Sequence, residues 1–156
     1  MTPPVPRQSL SLDLPPMDQF CLVVPDLDAA LAQYEPLFGP FIVLRNGPFD
    51  SVYRGQPARV ELAVAFGRAG DIEVELVEWV SGDTPHRDFL QQGRQGVQHI
   101  RYQVDDIDNW VEKVYPLGYT PVWTGHFPAN DYSPGISWCY VERKDDPLML
   151  EFVCSG

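Results

Sequence analysis

Positive charge is what this sequence has least of. Its 156 residues include 11 Lys and Arg against 22 Asp and Glu, a formal net charge of -11 at pH 7. Such a chain lacks the basic footprint that neutralises phosphates, which argues against a nucleic-acid partner. Anionic membrane surfaces would repel it as well. An anionic substrate would need a pocket whose sign differs from that of the surface. Cysteine is also scarce. Cys21, Cys139 and Cys154 are an odd number with no CxxC spacing, so neither a disulfide framework nor a thiolate zinc site is indicated. No apolar run is long enough to span a bilayer. The opening segment, MTPPVPRQSLSLDLPP, lacks the apolar stretch of a secretory signal and reads as a proline-rich arm over 1–16 that starts outside the fold. The expected setting is the cytoplasm, and the expected partner is a small molecule.

What is present is a globular composition, 44% hydrophobic and 12% aromatic, in a chain long enough to bury a core. The chain also repeats itself. The run QFCLVVPDLD, from Gln19 to Asp28, matches HIRYQVDDID, from His99 to Asp108, at a constant offset of 80 residues. In each copy a strand-like run enters Asp-[Leu/Ile]-Asp and continues in a helical pattern, over 28–38 and 108–117. Acidic residues open both helices, where they suit the N-terminus electrostatically and can cap it. Gly39 and Gly118 stand near the two ends. Further strands are predicted over 41–45, 59–66, 72–80, 121–125, 136–142 and 148–153, punctuated by Gly and Pro. Residues 84–92 predict a connecting helix with Pro85 in its first turn. The organisation expected is a first module over 17–80, a connecting segment over 81–95 and a second module over 96–156, one domain overall across 17–154.

Strand side chains alternate faces. Phe20, Leu22 and Val24 oppose Gln19, Cys21 and Val23; Ile72, Val74 and Leu76 oppose Glu73 and Glu75. Ile100, Tyr102 and Val104 oppose His99, Arg101 and Gln103; Leu148, Leu150 and Phe152 oppose Met149, Glu151 and Val153. Four strands thus carry an apolar face suited to lie under helices, and a second face with one or two coordinating side chains. A wet sheet face also holds Glu, Gln and His. The four together say more, because Gln19, Glu75, His99 and Glu151 occupy two equivalent positions in two copies. A pseudo-twofold brings such positions together, and one imidazole, two carboxylates and an amide oxygen suit a divalent metal. Glu73 shares the parity of Glu75 and is an alternative ligand. Trp123, Trp138 and Tyr140 either line an apolar pocket or belong to plain core, and His126 reads as a surface histidine.

With these residues in view, the chain resembles the vicinal oxygen chelate superfamily, which includes glyoxalase I, methylmalonyl-CoA epimerase, bleomycin-resistance proteins and extradiol dioxygenases. The resemblance runs from Met17 to Val153 and rests on MDQFCLVVPDLDAALAQYEPLFG, DIEVELVEW, GVQHIRYQVDDID and LMLEFV. The stretch from VELVEW to QHIRYQV looks most like the epimerase branch. The resemblance implies an α+β fold, two βαβββ modules forming a cupped, barrel-like mixed sheet with a metal inside. It places the metal ligands at Gln19, Glu75, His99 and Glu151, with one divalent ion of Zn, Ni, Co, Mn or Fe as cofactor. The Gln, Glu, His, Glu order resembles that of some glyoxalase I members. It implies a lyase or isomerase that abstracts a proton next to a metal-bound carbonyl of a small acid or thioester. By resemblance Glu151 is the first choice for the catalytic base and Glu75 its partner carboxylate. Arg101 and Trp138 are expected as substrate contacts, Arg101 otherwise forming an internal ion pair. A non-catalytic binding protein of the bleomycin-resistance type is the alternative. A ring-cleaving dioxygenase is disfavoured because Gln19 stands where a second histidine is common. The family pairs modules within one chain or across a dimer, and a homodimer is expected.

Overall fold

The computed structural model describes residues 1–4 and 11–156. Part of the arm expected over 1–16, residues 5–10, lies outside the described residues. In chain order the elements are β1 (Gln19–Val23), α1 (Leu27–Phe38), β2 (Ile42–Leu44), β3 (Phe49–Tyr53), β4 (Gln56–Ala69) and β5 (Ile72–Ser81). The short α2 (Pro85–Gln91) follows, then β6 (Gly96–Gln103), α3 (Ile107–Val114) and a single 3₁₀ turn (Tyr115–Leu117). The strands β7 (Thr120–Phe127), β8 (Ile136–Arg143) and β9 (Asp146–Ser155) complete the chain.

All strands join one sheet in the order β2-β4-β3-β7-β8-β9-β6-β1-β5, and β5 pairs again with β4. Eight strands therefore close into a ring, with β2 attached beside β3 along the long β4. The sheet is mixed: β1 runs parallel to β5 and β6 parallel to β9, while the remaining pairs are antiparallel. Two seams join the halves of the repeat, β1 with β6 and β3 with β7. The expected α+β fold with its cupped mixed sheet is the fold the chain adopts.

One element differs from expectation. The first half holds five strands rather than four, because Phe49–Tyr53 forms β3 in a stretch the sequence left unassigned. This strand, not β2, meets β7 and closes the ring. A two-residue turn joins β3 to β4, with Arg54 at φ 49 and Gly55 at φ 79. Positive φ at both central positions matches the right-handed twist of the strands it connects.

The repeat shows in the local chemistry of the helices. Asp26 Oδ1 accepts from the Ala29 amide at 3.0 Å, and Asp106 Oδ1 from the Asn109 amide at 3.1 Å, so both helices open on the same aspartate cap. Their ends differ. Gly118 adopts φ 94, whereas Gly39 is extended at φ -75. Outward-facing Leu22, Val24, Ala63, Ala65 and Leu76 form a core with Leu27 and Ala30 of α1. In the second half Cys139, Val141, Leu150 and Phe152 do the same with Trp110 and Val114 of α3. Leu12 and Leu14 pack against this second core, so the last residues of the expected arm lie on the fold. Inside the barrel, Phe89 of α2 packs on inward-facing Cys21, Val23 and Val77, with Leu62, Val64 and Leu90 against them. The connecting helix therefore stoppers one end of the ring.

Candidate functional site

Inward-facing positions of four strands meet above that stopper. His99 on β6 is fully buried, and its Nε2 lies 3.0 Å from Glu151 Oε2 on β9 and 3.4 Å from Glu75 Oε2 on β5. Gln19 Oε1 on β1 is 3.3 Å from the same nitrogen. The four residues singled out by strand parity and repeat position thus converge on one atom. Register explains it: β1 has β5 on one side and β6 on the other, setting Cys21 opposite both Glu75 and His99. The parallel β9 then sets Glu151 opposite Arg101.

A surrounding layer orients the donors. His99 Nδ1 lies 2.7 Å from Gln98 Oε1, an acceptor, which puts the ring proton on Nδ1 and turns the Nε2 lone pair inward. Gln19 Nε2 donates to Glu73 Oε1 at 2.7 Å, which turns its oxygen inward. Glu73 lies 3.4 Å from the Arg101 guanidinium, and Asp18 accepts two hydrogen bonds from that guanidinium at 2.9 and 3.0 Å. Arg101 is therefore ion-paired with Asp18 and Glu73, while still lining the cavity. Of the two glutamates on β5, Glu75 is the one that reaches His99.

This geometry places three oxygen acceptors within 3.4 Å of one nitrogen lone pair. Without a positive centre they repel. The centre is either a proton on Nε2 or a cation among them. Glu75 Oε2 is buried with no hydrogen-bond partner, which is the mark of an atom with something left to bind. Burial pushes the Glu75 carboxyl up to about 7; the charge of His99 opposes the rise, and that of Glu151 adds to it. An O₃N donor set of this kind fits a single divalent cation.

Sequence reasoning missed His86. It opens α2, is 1% exposed and lines the same cavity. Its Nδ1 is 2.7 Å from Thr84 Oγ1, and its Nε2 is 3.4 Å from the Tyr140 hydroxyl. That hydroxyl is in turn 3.5 Å from His99 Nε2, and burial, with the charge of Glu151, keeps it protonated. Cys21, His86 and His99 also present donor atoms within 4.8 Å of one another. This softer set is the poorer one, because burial and the neighbouring Glu75 hold the Cys21 thiol well above its ordinary range and only a thiolate ligates. A histidine on a short connecting helix carries no periodic signal; only the helix's position across the barrel end turns it inward.

The cavity has a volume of about 290 Å³. Gln19, Glu75 and Glu151 line it with Arg101, Trp138, Trp123 and Tyr140, as do Phe49 and Phe127, while His99 lies buried behind them. His126 is exposed on β7 and bonds the Ser137 hydroxyl at 2.9 Å, outside the cavity. Among the described residues no helix is long and apolar enough to cross a membrane.

Comparison with known proteins agrees with this architecture. Solved structures of similar fold include methylmalonyl-CoA epimerase from Mycobacterium tuberculosis, 18% identical, with a TM-score of 0.61 over 96% of this chain and 93% of that one. A substituted methylmalonyl-CoA epimerase from Streptomyces coelicolor, in complex with 2-nitronate-propionyl-CoA, is 20% identical, with a TM-score of 0.59 over 92% and 96%. A variant of 4-hydroxymandelate synthase from Streptomyces coelicolor is 18% identical, with a TM-score of 0.55, covering 92% of this chain and 49% of that one. No curated protein matches the chain. The family model described as the Glyoxalase/Bleomycin resistance protein/Dioxygenase superfamily matches residues 18–140. Two repeat halves in one ring, paired through β1 with β6 and β3 with β7, are thus accounted for by descent: the chain belongs to that superfamily.

Proposed function

We propose that this protein is a metal-dependent lyase or isomerase that moves a proton next to a carbonyl group. The observation that carries the reading is the convergence of Gln19, Glu75 and Glu151 oxygens on His99 Nε2, with Glu75 Oε2 buried and without a hydrogen bond. Gln19, Glu75, His99 and Glu151 would hold one divalent ion. When bound there, such an ion supplies Lewis-acid polarisation of a substrate oxygen and stabilises the charge that develops on it.

The chain's own residues do the rest. Glu151 takes the proton from carbon, and Glu75, on the other flank of His99, is placed to return it. The Tyr140 hydroxyl, kept protonated beside His99, donates to the substrate oxygen. Arg101 acts as a positioning residue through Glu73, which holds the Gln19 amide. The epimerase structures of similar fold, one of them in complex with 2-nitronate-propionyl-CoA, favour the proton-transfer class. The test is metal content of the purified protein by mass spectrometry. One divalent ion per wild-type chain is expected, with loss in His99→Ala and Glu151→Gln. Equal content in all three overturns the site. No bound metal under any loading condition favours the sequestering binding protein instead.

A further inference from the structure

We infer that the cavity takes an uncharged substrate with a flat, apolar tail, an aryl-bearing compound in particular, and refuses anionic conjugates. The inference rests on the proposed metal site, which fixes where the oxygen end of the substrate lies. Beside that site Phe49, Phe127 and Trp138 form one continuous wall, with ring centroids 5.0 to 5.9 Å apart. Gly125 makes the wall possible: a Cβ there would lie 2.0 Å from the Trp138 ring.

The charge at the cavity points the same way. The charged side chains lining it are Glu75, Glu151 and Arg101. Arg101 is the one cation among the described lining residues, and Asp18 and Glu73 already hold it. With Glu75 and Glu151 engaged by the proposed ion at the head end, a phosphate or carboxylate on the tail would meet the aromatic wall and no free cationic side chain, so its desolvation goes uncompensated. The cavity volume of about 290 Å³ suits a single ring with a short oxygenated head and is too small to enclose a nucleotide-bearing thioester. The two tryptophans add a polar detail. Trp123 Nε1 donates to Ser51 Oγ at 2.9 Å, whereas Trp138 Nε1 is buried with no partner.

Three hydroxamates that differ only in the tail test the inference: acetohydroxamate, benzohydroxamate and para-carboxybenzohydroxamate, titrated by calorimetry into the full chain loaded with a divalent ion. Benzohydroxamate is expected to bind roughly tenfold or more tightly than acetohydroxamate, the scale set by burying one ring. The carboxylated probe is expected to lose that whole gain. Equal affinity for all three, or tightest binding of the carboxylate, overturns the inference. The corresponding amides, acetamide, benzamide and para-carboxybenzamide, carry the same tails without a chelating pair. Titrated into the metal-free chain they should rank in the same order, and a different order there also overturns it. If hydroxamates bind loaded and metal-free chain alike, the metal reading fails, while the ranking of tails still judges the cavity.

Discussion

Glu75 is a carboxyl that the native state prefers to keep protonated. Burial raises it to about 7, above the range of an exposed glutamate. Between about pH 4.5 and about pH 7 the folded chain therefore holds a proton that the unfolded chain releases, and stability falls as pH rises through that window. For metal-free protein, urea unfolding at several pH values should show this slope, on the order of 1–3 kcal/mol in total, and Glu75→Gln should flatten it. Adding a divalent ion should reverse the trend, because ligands bind only when deprotonated. Glu73 tests the layer behind the donors. Glu73→Ala frees the Gln19 amide and is expected to weaken metal binding roughly 10–100-fold, read by competition with a chromophoric chelator, while far-UV circular dichroism stays native. The four converging residues were legible because parity and repeat position are properties of the sequence. His86, Gln98 and Tyr140 as neighbours of His99 were not, since each depends on a contact across elements that no local period records.

At the scale of elements, the duplicated helix caps and helix cores carry the fold. Asp106→Ala should cost about 1 kcal/mol, a typical cap loss, and Asp26→Ala a similar amount, both read from chemical denaturation midpoints. Trp110→Ala should cost much more, about 3–5 kcal/mol, because the indole is 8% exposed and stacks on Phe152 beneath α3. The amphipathic helices and alternating strands over these cores were readable from hydrophobic period alone. β3 was not, and its residues say why. Ser51 points inward yet is polar, because it accepts from Trp123 and donates to the Ala58 carbonyl at 3.0 Å. Outward Asp50 pairs with Arg59, and Tyr53 bonds Asp88 on α2. A five-residue strand so occupied with specific polar partners has no clean alternation left to detect.

At the scale of the whole molecule, the two halves meet unequally. β1 and β6 share five paired positions, whereas β3 and β7 share two, Val52 with Thr124 and Tyr53 with Trp123. Amide hydrogen exchange should therefore be faster at Tyr53 and Thr124 than along β1. The proposed metal ligands divide the same way, Gln19 and Glu75 from the first half, His99 and Glu151 from the second. A bound ion would tie the halves together, adding about 2.7 kcal/mol when free ion is about 100 times Kd. The melting temperature should then rise with ion concentration in wild type and not in His99→Ala. The acid excess finds its place at this scale too: the carboxylates lining the cavity face a buried histidine and a paired arginine, while many of the others remain on the surface.

The helix that stoppers the ring has a kinetic consequence. With Phe89 and Leu90 packed across one end, a molecule in the cavity enters and leaves through the open side of the pocket. Substrate and product must take turns in that passage, so product accumulating in the medium should behave as a simple competitor of substrate, raising KM without lowering kcat.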